Sequence, residues 1–416
     1  MLTSMQTAIS GMNANGTDLS VIADNIANMN TVGYKKSTVA FGDVLSASIT
    51  GVAGSAQVGR GVYVQEVSPL FTQGSLETSE NALDMAIDGD GFFMVNDNGA
   101  RYYSRAGNFS IDDEGYIVNA TNLRLQGYLA DAAGNLTGTT GDLQLIATQS
   151  PANMTTDAAI SVNLDATDDV QTAAFDISTG TAENYNSSST LTMYDSQGGG
   201  HQVTVYYAKT DVNEWDVHYV YEDPATPGTL IEATNSPSTL VFDTAGSLDT
   251  AASTIADPTF TFGTGVTGPQ TIAFEHTGTM QYASEFAVLA IDQDGYASGA
   301  LESLTISDDG RMTGIFSNGQ TRLIGQIALA KFIAPTELVK LGGNLYGESS
   351  GSGQPIVSSP GTSGLGDIAS NTLELSNVDL AQEFVNMITA QRGFQANSRI
   401  ITTTDELMAE VVNLKR

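Results

Sequence analysis

Several short stretches of this chain spell motifs that carry chemistry elsewhere. Gly347-Glu348-Ser349-Ser350-Gly351 has the spacing of the turn that presents a serine nucleophile. That chemistry needs a strand before the turn, a helix after it and a histidine later in the chain to take the proton. Here the segment lies in a Gly/Ser/Pro-rich stretch, 347–366, and the last histidine is His276. Gly263-Thr264-Gly265-Val266-Thr267-Gly268 spells a dinucleotide fingerprint. Its mechanism requires the third glycine to open a helix that holds pyrophosphate. Pro269-Gln270-Thr271-Ile272-Ala273-Phe274 reads instead as a strand. The three histidines, His201, His218 and His276, are far apart, so no helix face carries an i, i+4 pair for a metal. The acidic turns Asp88-Gly89-Asp90-Gly91 and Asp292-Gln293-Asp294-Gly295 offer oxygen ligands of the kind calcium takes. Neither has the glycine and bidentate glutamate of an EF-hand loop, and Asp-Gly is equally what a tight turn prefers. The expectation is therefore no catalytic, cofactor-binding or metal residue, with calcium at the acidic turns left open.

The composition points the same way. Cysteine is absent, which removes disulfides, thiolate nucleophiles and Cys-ligated zinc. With 416 residues the chain is long enough for two to four domains. The net charge of −32 is unevenly spread: residues 1–60 carry three acids and three bases, and 372–416 six acids and four bases. The other 38 acids face eight bases in residues 61–371. An acidic middle repels nucleic acid and anionic lipid, so neither is an expected partner. No apolar run approaches the ~20 residues of a membrane-spanning helix. The start, Met1-Leu2-Thr3-Ser4-Met5-Gln6, lacks a basic and apolar leader, which by itself reads as cytoplasmic unless export takes another route.

The two ends share a pattern that the middle lacks. Met5, Met12, Leu19 and Ile26 fall seven apart, with Ala8, Ile22 and Met29 at intervening positions and Asn15 as the exception. Leu380, Met387, Phe394, Ile401 and Met408 repeat the spacing, joined by Phe384 and Val412 but not by Gln391, Ser398 or Asp405. A 3.5-residue apolar repeat is the period of a coiled-coil seam. Gly33 is the expected end of the first helix, and Ser376 with Asp379 has capping-box spacing for the start of the second. Each stripe alone also suits an ordinary amphipathic helix. Two of them, at opposite ends of a chain that is otherwise strands and turns, favour pairing with each other.

Between the ends, Asp97-Asn98-Gly99, Asp113-Glu114-Gly115, Asp294-Gly295, Asp309-Gly310 and Asn318-Gly319 are hairpin-type signals between apolar runs. The fold expected is multidomain α+β. Helices at 1–30 and 376–416 form a terminal coiled coil, and 31–75 and 347–375 are extended connecting segments. Residues 76–148 with 285–346 make a discontinuous inner β domain, into which 149–284 is inserted as an outer β domain.

The stretch Ile22-Ala23-Asp24-Asn25-Ile26-Ala27-Asn28-Met29-Asn30-Thr31-Val32-Gly33-Tyr34-Lys35 resembles the signature of the flagellar rod and hook axial proteins. Leu375-Ser376-Asn377-Val378-Asp379-Leu380 and Met387 through Gln391-Arg392-Gly393-Phe394-Gln395-Ala396-Asn397-Ser398 resemble it too. So does Phe71–Leu76, through Phe92–Val95, to Tyr103–Phe109. The motif residues carried over are Asn25, Asn28, Asn30, Thr31, Gly33, Tyr34, Asn377, Val378, Asp379, Leu380, Gln391, Arg392, Gln395, Ala396 and Asn397. Thr192–Gly198, His201–Tyr207 and Trp215–Val217 are similar to the outer domain of the hook members rather than the shorter rod members.

The resemblance implies a structural subunit with no enzymatic role. It would assemble into a flexible helical tube that transmits torque as a universal joint and serves as an export channel. Its seam would be Met5, Met12, Leu19, Ile22, Ile26, Met29, Leu380, Phe384, Met387, Phe394, Ile401 and Met408. Implied partners are copies of itself, a hook cap or scaffold protein, distal rod and hook–filament junction proteins, and the flagellar type III export apparatus. The implied location is the extracellular hook of the bacterial flagellum, reached without a cleaved signal. A distal rod protein and a secreted acidic β-rich adhesin are the alternatives.

Overall fold

The computed structural model describes residues 2–45, 59–131, 134–145, 149–178 and 182–413. Two long helices stand at the ends, α1 (Leu2–Ala27) and α2 (Leu380–Asn413), with short strands between. Contacts divide the chain into two compact units. The first is drawn from 1–146, 303–314 and 321–416, and the second from 147–302 and 315–320.

In the first unit a sheet runs in the order Thr321–Ile327, Arg124–Ala130, Phe92–Asp97, Ala100–Ser104, Leu345–Gly347, Val339–Gly342. Phe92–Asp97 shows why this sheet is its centre. Phe93 and Val95 join one apolar cluster with Met85, Ile87, Leu125 and Ile327, while Phe92 and Met94 join another with Tyr103, Phe332 and Tyr346. Successive strand side chains point to opposite faces, so a run of four apolar residues buries both. Asn98 and Gly99, both at positive φ, turn this strand into its neighbour Ala100–Ser104. Segment 31–75 is not a bare connector: Ser37–Leu45 and Gly59–Pro69 pair antiparallel as a two-stranded ribbon. Backbone groups in a long extended stretch need partners, and the two halves of this one supply each other. The ribbon lies on α1, where Val62 N donates to Ser10 Oγ at 3.2 Å. Likewise Ile356–Ser358, inside the expected connector 347–375, pairs with Leu329–Lys331.

In the second unit, Ser187–Tyr194, Gly200–Asp211 and Glu214–Glu222 form a meander whose buried face meets Asp157–Asp165. Trp215 lies at its centre, fully buried, its Nε1 donating to Gln281 Oε1 at 2.9 Å. The expected hairpin at Asp294-Gly295 is absent. The Asp294 carboxylate instead accepts from the backbone N–H of Thr156 and Asp157, at 2.8 and 3.1 Å. This ties the returning strand Ala287–Gln293 to the entering strand Asp157–Asp165, with which it pairs antiparallel. That pairing puts 285–302 in the same unit as 149–284, whereas the sequence reading assigned it to the inner domain.

His276 is wholly buried in this unit, with Nε2 2.8 Å from the Tyr219 hydroxyl and Nδ1 without a partner. Burial lowers its pKa from 6.5 to about 4. The unfolded chain therefore binds a proton that the folded unit refuses. The stabilising effect of neutral His276 is complete above pH 6.5 and is lost as pH falls through about 4. Each tenfold change in proton affinity is worth ~1.4 kcal/mol, so this unit loses about 3 kcal/mol over that range. Urea melts followed at Trp215, the single tryptophan, will show this loss between pH 7 and 4. A His276→Phe variant will show a flatter acid limb.

Candidate functional site at the paired chain ends

Small and polar residues line the two helices where they meet, so their contact is built from few atoms. α1 ends in a turn closed by Gly33, whose φ of +69° suits glycine and whose Cα packs on the backbone of Arg105 and Ala106. α2 starts at Asp379, not Ser376: Asp379 Oδ1 accepts from Ala381 N at 2.9 Å and Gln382 N at 3.1 Å. A carboxylate one residue before the helix can reach the free N–H groups of the first turn. Ser376 lies too far upstream for that, and its Oγ is buried without a partner.

The helices run antiparallel. Gly11 faces Asn397, Asn15 faces Gly393, and Asn25 faces Glu383, so each step along α1 is matched by an equal step back along α2. A Cβ on Gly11 would stand 2.7 Å from Asn397 Nδ2, and one on Gly393 would stand 2.8 Å from Asn15 Oδ1. The buried line is therefore Ala8, Gly11, Ala14, Ile22 and Asn25 on α1, with Glu383, Ala390 and Thr404 on α2.

The expected self-assembly seam concerns contacts within a polymer, and in the single chain its residues divide. Ile22 is buried, and Met5, Met12, Leu19, Ile26, Met29, Met387 and Ile401 are half-buried beside the contact. Leu380, Phe384, Phe394 and Met408 are exposed. Val412 lies outside the residues whose side chains are described. The seven-residue spacing is present, but the contact line is rotated toward the small residues because only they allow the backbones this close. Glycine and alanine at 8, 11 and 14 were the available signal.

The motif residues divide in the same manner. Asn25 Nδ2 donates to Ser37 O, and Asn25 Oδ1 accepts from Ser37 N, both at 2.9 Å, fastening the ribbon to α1. The Tyr34 hydroxyl donates to Asp24 Oδ2 at 3.0 Å, and burial raises its pKa. Asn28 Oδ1 accepts from Thr31 Oγ1 at 3.3 Å within the turn. Asn377 accepts from Lys36 N at 2.8 Å and donates to Leu70 O at 2.8 Å, joining both chain ends. Val378 is half-buried, whereas Asn30, Gln391, Arg392, Gln395 and Ala396 are exposed.

Sequence reasoning missed the charged group beneath them. Lys35 Nζ lies 2.6 Å from Glu374 Oε1 and donates to Thr72 O at 2.7 Å, and both charged side chains are fully buried. Gly74 N donates to the same Oε1 at 2.8 Å, and Arg105 Nη1 lies 3.6 Å from Oε2. Burial lowers the pKa of Lys35, opposed by its hydrogen bond to Glu374. Arg105 is lowered by burial too, with Glu374 acting against the shift. The available signal was two bases inside motif stretches of a base-poor chain, Lys35 and Arg105. One carboxylate thus joins the segment after α1, the segment before α2 and the inner sheet.

Four family models match in chain order. They are the flagella basal body rod protein over 5–35, the FlgE/F/G hook protein D1 domain over 86–172, the FlaE D2 domain over 163–296, and the FlgEFG rod protein C-terminal over 369–414. The flagellar hook protein FlgE of Escherichia coli is 36% identical, with 98% of this chain and 99% of that one covered. The chain belongs to the flagellar hook protein family. The FlgE of Borreliella burgdorferi is 34% identical over the whole of both chains. The crystal structure of Helicobacter pylori FlgE2 shares the fold, with a TM-score of 0.53 at 17% identity over 72% of this chain and all of that one.

In this hook-family chain, removing the anion between two buried cations leaves both unpaired. Glu374→Ala is expected to cost about 3–5 kcal/mol. Guanidinium melts followed by circular dichroism will show an early transition, with the Trp215 transition of the second unit unchanged.

Proposed function

We propose that this chain is the structural subunit of a flagellar hook and polymerises with copies of itself through its terminal helices. The observation that carries the reading is the apolar surface left on α2. Phe384 (47% exposed), Val385 (57%) and Ile388 (50%) stay open to solvent beside α1, and Leu380 and Phe394 are exposed with them. Phe384 and Ile388 lie ~100–160° around the helix from the line Glu383–Ala390 that meets α1, at 100° per residue. A helix that is apolar on several sides is built for burial. One α1 covers only one side, and neighbouring copies would cover the rest.

A homopolymer in the flagellum is what membership of this family implies. On this reading the tube wall contains the paired ends, and its bore serves for export. Distal rod and hook–filament junction proteins meet its two ends, with a hook cap protein at the growing tip. The chain leaves the cell through the flagellar export apparatus and ends outside it. Bending of the tube as a universal joint would be served by the small, polar helix contact, which holds neighbours less rigidly than a large-residue seam. A structural role fits the site better than catalysis: Ser349 Oγ donates to Glu337 O, and Gly263–Gly268 links the paired strands Thr259–Phe260 and Gln270–Thr271. Hook relatives matching over nearly the full chain favour hook over rod.

Phe384→Asp together with Ile388→Asp will abolish tube formation seen by electron microscopy. Because both side chains are exposed, the monomer's melting will move by no more than about 0.5 kcal/mol. Normal tubes, or a destabilised monomer, would refute the assignment of this face.

A further inference from the structure

The strand Ala287–Gln293 is unusual for a sheet edge. It pairs with Asp157–Asp165 alone among the described strands, so one row of its backbone N–H and C=O groups has no ladder partner. Every residue from Ala287 to Asp292 is exposed, including Val288 (43%), Leu289 (53%) and Ile291 (37%). The partner strand behaves otherwise, burying Ala158, Ile160, Val162 and Leu164 in the core of the unit. Register sets Ile291 opposite Ile160 and Val288 opposite Val162, so both lie on the core-side face and remain uncovered there. Leu289 is the extra residue at the register shift across from Ser161 and Val162.

Sheet edges are normally guarded by charges, proline, short length or a covering segment. The run Ala-Val-Leu-Ala-Ile contains neither charge nor proline, with acids only at its flanks, Glu285 and Asp292. It has the bulge, but a bulge bends an edge without pairing its free groups.

The charge of the unit narrows the occupant. Residues 147–302 and 315–320 contain 21 acids and one base, Lys209. Lys209 is buried, its Nζ donating to Ala166 O at 2.7 Å and Asp168 O at 2.8 Å. Two copies of this unit cannot attract each other through ion pairs, and at close range their carboxylates repel. Any contact between copies must use a surface that is apolar, uncharged and able to form directional bonds. A cationic partner, by contrast, would be drawn to the carboxylates and away from this strip.

We propose that Ala287–Gln293 is a strand-addition site for a second copy of this chain. The free edge takes an extended segment from the second unit of a neighbour, and Val288, Leu289 and Ile291 are covered by it. The contact is heterologous, joining this edge to a different segment of the neighbour, because an edge-to-itself pair closes a dimer and stops growth. This proposal rests on the polymer reading above and adds a second contact, far along the chain from the helices.

The test uses the full chain with a benzophenone amino acid replacing Leu289, an exposed position outside both helices. Irradiation of assembled tubes is expected to give a covalent dimer absent from irradiated monomer. Peptide mapping will place the link in residues 147–302 of a second copy, at a segment other than 287–293. Tubes that form without this cross-link overturn the strand-addition site and leave the helix-based reading standing. Failure of the unmodified chain to form tubes overturns both. A link from 289 to 289 overturns the heterologous arrangement, and a link to a different protein overturns the choice of occupant. As a second measure, Leu289→Asp is expected to give tubes that dissociate at lower temperature than wild type, with the Trp215 melt of the monomer unchanged. Equal tube stability counts against the site.

Discussion

The carboxylate of Glu374 is the constraint from which the arrangement of both ends follows. It takes the Lys35 ammonium and the Gly74 amide on one oxygen and faces the Arg105 guanidinium with the other. Lys35 comes shortly after α1 and Glu374 shortly before α2, so the two helices leave from one point and must run side by side. Burying these charges is costly, and well-packed apolar residues of like volume could be as stable. What apolar residues would not supply is a unique partner. With the carboxylate in place, one lysine and one main-chain turn fit, and the antiparallel register of Gly11 with Asn397 is set from the root. Arg105 has no hydrogen-bond partner for Nε or Nη1 and lies over the Phe92 ring at 5.4 Å, so the cluster also reaches the sheet.

From that root the helices diverge in character from an ordinary coiled coil. Their contact line contains glycine, alanine, asparagine, threonine and glutamate, and most large apolar side chains stand beside it or away from it. Such a contact buries little apolar area, at about 25 cal/mol per Å², and is marginal for helices exposed to water. The same choice explains the exposed residues of α2. Were Phe384 and Ile388 placed on the line toward α1, the backbones could not approach as closely as Gly11 and Gly393 permit. Less apolar surface would then remain for a neighbour.

The sequence made some of this legible and hid the rest for physical reasons. A seven-residue period survives rotation of a helix by less than one residue, so periodicity revealed two paired helices but not which flank of the stripe is buried. The larger residues Phe384 and Phe394 stand exposed in the single chain, and the small residues at 8, 11 and 14 decide the contact between its two helices. The turns at Asn98-Gly99 and the strand at 92–95 were readable because local chemistry fixes them. Asp294-Gly295 had the same local spelling, but Thr156, distant in sequence, captured its carboxylate. Lys35, Arg105 and Glu374 could not be joined by pattern, since nothing in the order of residues tells which three charges meet. The pairing of 37–45 with 59–69 escaped for a related cause: the two strands are far apart in sequence, and no two-residue loop joins them.

On the assembly reading, the helices and the second unit set opposite demands on a polymer. Around the helices net charge is near zero and apolar surface is plentiful, so contacts there gain by burial and are indifferent to salt. The second unit carries 21 acids against one buried base, and its copies repel over a Debye length of about 8 Å at physiological ionic strength. Contacts in that unit are then confined to uncharged strips, and backbone pairing along one edge tolerates bending and sliding better than interlocked side chains do. Lowering ionic strength lengthens the repulsion while leaving helix burial untouched. Strain in such a polymer would therefore be taken up among the acidic units before the helical wall yields, which is the mechanical order a bending tube requires.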